Sequence, residues 1–150
     1  MVLARILIGN DSEKLYREGR MAERKHILLV DDETAFRFSA SLALRMAGYR
    51  VTETEDGTDA LDELIRLKDV GTPVDLLVTD LRMPNLNGAE LIDALKHHDV
   101  PVPVFVVSGY CDPRTLRELA AVGCVEYLEK PFQPAELVER VDNILGKTAA

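Results

Sequence analysis

The sequence predicts an α/β domain: a parallel five-stranded sheet covered by helices on both faces. Three observations carry this. From His26 onward, five short apolar runs alternate with five stretches of helical periodicity. Repeated strand–helix units join parallel strands, and a parallel sheet needs a helical layer on each face. The runs containing LLV and VFVV are near-continuously apolar, as strands buried on both faces are. A length of 150 residues with 47% apolar residues is enough for one such core and too little for two.

The elements follow in order. HILLV (26–30) is the first strand, and helical periodicity over 33–47 ends at Gly48. YRVTETE (49–55) alternates, which suits an edge strand, and leads into a helix over 57–69. VDLLVTD (74–80) precedes a helix over 88–98. VPVFVVS (102–108) precedes a helix over 112–122, with Pro113 near its start and Gly123 past its end. CVEYLEK (124–130) precedes a helix over 134–146, entered at Pro134. Residues 1–25 fall outside the pattern and are expected to form a flexible extension. The domain is expected over 26–147, with 148–150 as a tail. ILIGND (6–11) echoes ILLVDD (27–32), but the extension is too short for a second domain.

Composition narrows the function classes. Lys and Arg total 18 against 26 Asp and Glu, a net charge of -8. Such a surface repels phosphate backbones, so direct nucleic-acid binding is not expected. Arg17, Arg20, Arg24 and Lys25 are interleaved with Glu18 and Glu23 and read as a solvated linker. No run approaches a membrane span, and Arg5 interrupts the apolar start, making a poor signal peptide. Cys111 and Cys124 lack zinc-ligand spacing, and His97-His98 forms no HExxH pattern. The expectation is a cytoplasmic protein with reduced thiols and no membrane insertion.

Ligands of open α/β sheets bind beyond the C-terminal ends of the strands. Those ends carry Asp31-Asp32-Glu33, Thr54-Glu55-Asp56-Gly57, Asp80, Ser108-Gly109-Tyr110 and Glu129-Lys130-Pro131-Phe132. Asp31, Asp32 and Asp80 would meet at one rim and repel each other without a cation. A hard divalent ion with oxygen ligands and retained waters resolves this, which describes Mg²⁺. With Lys130 and the Ser108 hydroxyl, the set makes a phosphoryl-transfer constellation. Singly, each residue has a plainer reading: Asp31 as a helix cap, Ser108 as a loop hydroxyl, Lys130 as a surface charge. Their coincidence at the strand ends of one sheet favours the joint reading.

In order and at workable spacing, LLVDDE, VTDLRMPNLNG, VVSGY and YLEKPF resemble the receiver domain of two-component response regulators, over about 26–147. The resemblance implies a flavodoxin-like, doubly wound (βα)5 fold with strand order 2-1-3-4-5, like that of chemotaxis regulators. It implies Asp80 as phosphoacceptor, and Asp31, Asp32, Asp80 and the Arg82 backbone carbonyl as Mg²⁺ ligands. Ser108 and Lys130 would bind the phosphoryl group, Tyr127 would be the aromatic switch, and the bond before Pro131 would be cis. Arg82 and Tyr110 occupy the positions that tune hydrolysis, and both are large. The donor would be a sensor histidine kinase or histidine phosphotransfer protein. The output would be a downstream protein, with a homodimer through the fourth helix, fifth strand and fifth helix admitted. Such a protein is no conventional enzyme and catalyses only its own phosphorylation and dephosphorylation. The departure is an added loop at 68–73, on the rim opposite the acidic cluster.

The first helix carries a further expectation. Phe36, Ala40, Ala43, Leu44 and Ala47 share one sector of the wheel and should face the sheet. Phe38, Leu42 and Met46 form a second, surplus stripe and are assigned to docking of the phosphodonor; the alternative cover is residues 1–20. Two rivals are weaker. An aspartyl-phosphate phosphatase needs an acid two residues after its nucleophile, where Arg82 stands. A flavodoxin-like cofactor binder would have its anion repelled by Asp31-Asp32-Glu33, and neither a P-loop nor a GxSxG elbow occurs. The chain ends about one turn past its last helix, as either a stand-alone regulator or a receiver from a longer chain.

Overall fold

Side chains along a strand point alternately to opposite faces, so a fully buried strand must feed two cores. The computed structural model describes residues 24–109 and 111–146 and shows this arrangement. Strands β1 (His26–Val30), β2 (Arg50–Thr54), β3 (Leu76–Thr79), β4 (Val104–Ser108) and β5 (Cys124–Glu129) alternate with five helices. These are α1 (Thr34–Met46), α2 (Gly57–Asp69), α3 (Gly88–His97), α4 (Pro113–Ala121) and α5 (Pro134–Leu145). All strand pairs are parallel and the order is β2-β1-β3-β4-β5.

On one face, Ile27, Leu29, Leu76, Val78, Phe105 and Val107 pack with Ala40 and Leu44 of α1 and Leu137 and Val141 of α5. On the other, Leu28, Val30, Leu77, Val104 and Val106 pack against α2, α3 and α4 through Leu64, Leu91, Leu95 and Leu119. Each such Val, Leu, Ile or Phe side chain, removed from water, stabilises the fold by roughly 1.5–3 kcal/mol.

Helix starts are set by local chemistry. Asp56 caps α2 by accepting from Asp59 N at 2.8 Å, and Asp112 caps α4 by accepting from Thr115 N at 2.7 Å. Asn87 and Glu90 form a reciprocal capping box on α3. Helix α1 has no side-chain cap from its own N-cap residue, Glu33. Gly48 and Gly123, at φ 101° and 104°, turn the chain out of α1 and α4.

Two strands start two residues later than their apolar runs suggest. β3 omits Val74 and Asp75, and β4 omits Val102 and Pro103. Pro103 has no N–H for the ladder, though its carbonyl still accepts from Leu77 N at 3.0 Å. The wheel reading of α1 holds for Phe36, which packs on the sheet core, while Phe38, Leu42 and Met46 are 67%, 50% and 81% exposed. Arg37 and Ser41 are also buried on α1, which the pattern did not foretell. Apart from Arg24 and Lys25, the expected extension lies outside the described residues, as do the tail and Tyr110. Among the described residues, no helix is long and apolar enough to cross a membrane.

Candidate functional site

The site lies at the C-terminal ends of β1, β3, β4 and β5, where the order of strands reverses about β1. Asp31, the first residue past β1, is fully buried. Its backbone N–H donates to the Thr54 carbonyl at 3.3 Å, and its own carbonyl accepts from Arg37 Nη1 at 2.6 Å. Its carboxylate accepts from Glu33 N at 2.8 Å and from Lys130 Nζ at 2.7 Å. Main chain and side chain are therefore both fixed.

Asp80 follows β3 and is 9% exposed. Its N–H donates to the Val30 carbonyl at 3.2 Å, and its carbonyl accepts from the buried Thr79 hydroxyl at 2.9 Å. One carboxylate oxygen accepts from Arg82 N at 3.2 Å and the other from Lys130 Nζ at 3.1 Å. Asp32 is exposed, and ligand oxygens of Asp31, Asp32 and Asp80 all lie within 4.8 Å of one another.

The electrostatics are those of two acids, Asp31 and Asp80, sharing the Lys130 ammonium. Burial pushes the Asp31 carboxyl above its usual range, against the pull of Lys130 and the Glu33 N–H; Asp80 adds to the rise. Burial lowers Lys130, but Asp31 and Asp80 together outweigh it and hold the ammonium above its ordinary value. The donor set is all-carboxylate and hard, open on the Asp32 side, and electrostatically unsatisfied. It fits Mg²⁺, which could be held by Asp31, Asp32 and Asp80 with waters completing its shell.

The loop from Leu81 to Asn87 is seated by close backbone approach. A Cβ at Gly88 would lie 2.5 Å from the Asp80 carbonyl oxygen, and one at Gly57 would lie 2.1 Å from the Leu86 carbonyl oxygen. Asn85, at φ 69°, donates to the Asp56 carboxylate at 3.0 Å and ties this loop to the start of α2.

Lys130 is carried by the end of β5. Its N–H donates to the Ser108 carbonyl at 2.8 Å, and the Lys130–Pro131 bond is cis. Ser108 is buried at the end of β4. Tyr127 is partly buried against the α2–α4 face, and its hydroxyl is buried with no partner. Burial pushes that hydroxyl up, with smaller contributions from Cys111, Glu129 and Asp80. Arg82 is exposed beside Asp80. The Phe38, Leu42 and Met46 stripe starts one turn beyond the acidic rim.

Four residues of this neighbourhood were not singled out as site residues from the sequence. Arg37 holds the Asp31 carbonyl and pairs with Glu53 and Glu55, each at 3.5 Å. Phe36 lies under Lys130, with Nζ 3.9 Å from the ring centroid. Gly57 and Gly88 permit the two close approaches. The only sequence signals were a cation beside the sheet-facing sector of α1 and glycines directly after Asp56 and Asn87.

The model of the response regulator receiver domain matches residues 27–142. The chain is 33% identical over 125 residues to the transcriptional regulatory protein FixJ of Bradyrhizobium diazoefficiens, covering 83% of this chain and 58% of that protein. It is 29% identical over 122 residues to the response regulator SaeR of Staphylococcus aureus, covering 81% and 51% respectively. The chain thus spans little more than half the length of these curated relatives. Among solved structures, the CheY-like response regulator receiver domain protein of Methanospirillum hungatei superposes with a TM-score of 0.74 at 25% identity. That match covers 83% of this chain and 96% of the other.

Proposed function

The chain belongs to the response regulator receiver domain family of two-component signalling, and we propose that it is a phosphorylation switch whose acceptor is Asp80. One observation carries this reading. Asp80 stands at the end of β3 with its two oxygens held by Arg82 N and Lys130 Nζ, beside Asp31 and Asp32.

The chemistry follows from that arrangement. A carboxylate oxygen of Asp80 attacks phosphorus in line, the donor's P–N or P–O bond breaks, and an acyl phosphate forms. Lys130 then shifts from the Asp80 carboxylate toward a phosphoryl oxygen, and the Ser108 hydroxyl offers a second contact. Bound Mg²⁺ would neutralise phosphoryl charge, held by Asp31, Asp32, Asp80 and the Arg82 carbonyl. Tyr127 reads the change: its buried, unpartnered hydroxyl gains if a rearranged β4–α4 segment offers an acceptor. Arg82 and Tyr110 tune the loss of the phosphoryl group, and their size favours a slow rate.

The donor is a sensor histidine kinase or histidine phosphotransfer protein, received by Phe38, Leu42 and Met46 on α1. The output is a protein contact through α4, β5 and α5. The test is incubation with acetyl phosphate and Mg²⁺. One phosphoryl mass should be added, and Asp80→Asn should abolish it; undiminished labelling of that variant would overturn the assignment.

A further inference from the structure

Lys130 makes more contacts than its two short ion pairs. An ammonium has three N–H bonds, and the carboxylates of Asp31 and Asp80 take two, at 2.7 and 3.1 Å. Its remaining environment includes the face of Phe36, with Nζ 3.9 Å from the centroid, and Glu33 at 3.9 Å. The ring distance is well inside the range of cation–π attraction, which strengthens as the cation loses water. Here the Lys130 side chain is 15% exposed.

The ring is itself fixed. Phe132 meets Phe36 edge-on, with centroids 5.7 Å apart and planes at 89°. Phe36 lies in the first turn of α1, and the next residue, Arg37, binds the Asp31 carbonyl at 2.6 Å. The ring that touches Lys130 thus belongs to a helix start clamped to the acid that Lys130 also binds. Phe132 closes the arrangement from two residues beyond Lys130.

We infer that Phe36 is a positioning residue for phosphoryl binding: its ring face holds the Lys130 ammonium where it can pass from the Asp80 carboxylate to a phosphoryl oxygen. The inference rests on the assignment of Asp80 as acceptor. Leucine at this position keeps bulk and loses the quadrupole, leaving Lys130 free to move toward Glu33 or water. Tryptophan offers a stronger cation–π face.

The phosphoryl mimic beryllofluoride, titrated with Mg²⁺ and followed by ¹⁹F NMR, tests this. Phe36→Leu should weaken its binding about five-fold, and Phe36→Trp should hold wild-type affinity. In a Lys130→Met background, Phe36→Leu should produce no further loss, because the coupling partner is gone. An independent readout needs neither ligand nor metal. The Lys130 ε-methylene protons of the wild-type chain should be shifted upfield by the ring current, and Phe36→Leu should remove that shift. Unchanged affinity in Phe36→Leu, or equal losses with and without Lys130, would make Phe36 a packing residue only and overturn the inference. A wild-type chain that takes up no beryllofluoride would instead sink the acceptor assignment, and the inference with it.

Discussion

Gly88→Ala is a demanding test of how the loop after Asp80 is seated. Built on this backbone, the new methyl would lie 2.5 Å from the Asp80 carbonyl oxygen, 3.0 Å from Leu81 Cα and 3.3 Å from the Asp80 carbonyl carbon. All three obstacles are backbone atoms, so no side chain can swing aside, and the end of β3 must retreat by about an ångström to restore van der Waals contact. Overpacking of this kind costs about 1–3 kcal/mol. Alanine in a helix returns at most about 1 kcal/mol through its better propensity. A net loss of about 1–2 kcal/mol should lower the melting temperature by roughly 5 °C for a domain of this size. Retreat of Asp80 should also lengthen its contact with Lys130 and slow labelling by acetyl phosphate. Gly109→Ala is the control, since its methyl would meet nothing within 4 Å, and its stability should stay within about 0.5 kcal/mol of wild type. Urea midpoints and circular-dichroism melts of both variants decide the matter. If Gly88→Ala melts with or above Gly109→Ala, the close approach does not constrain the loop.

Asp31→Asn should raise the melting temperature of the metal-free chain at neutral pH while reducing Mg²⁺ affinity. Burial raises the Asp31 pKa in the folded state, so its stabilising contribution is full below the unfolded value near 3.8 and is lost as pH rises through the folded one. Calorimetry at pH 7 and at pH 4 should show the gain at pH 7 and its shrinkage at pH 4; a lower melting temperature at pH 7 contradicts the sign. Phe38→Ala and Leu42→Ala should slow transfer from a cognate histidine donor and leave acetyl-phosphate labelling intact. Equal loss with both donors would show that these residues support the fold or the phosphorylation site rather than the donor contact.

The fold was legible because periodicity and punctuation agreed along the chain. Val, Ile and Leu runs marked the buried strands, and Gly48, Gly123, Pro113 and Pro134 marked helix boundaries. The convergence of Asp31, Asp32 and Asp80 was legible for a topological reason: in a parallel sheet, residues just past each strand share one rim. Arg37 was not legible, because an arginine on a helix wheel reads as solvent-facing. Its burial depends on Glu53, Glu55 and the Asp31 carbonyl, supplied by other segments. Phe36 was assigned to the sheet-facing sector, but its contact with Lys130 depends on how the chain folds back through Pro131 and Phe132. Gly57 and Gly88 could be read as turn residues, whereas their service to Leu86 and Asp80 is a matter of three-dimensional proximity.

The sheet divides the interior into two packed layers whose side chains belong to separate clusters. Substitutions on opposite sides share few direct neighbours, so their energetic effects should tend to add rather than interact. A lineage could then rewrite the α1–α5 layer, with the surface it presents, while the α2–α4 layer stays as it is. The parallel sheet is thus a partition between two layers for divergence, which share the strands whose alternate residues feed each of them.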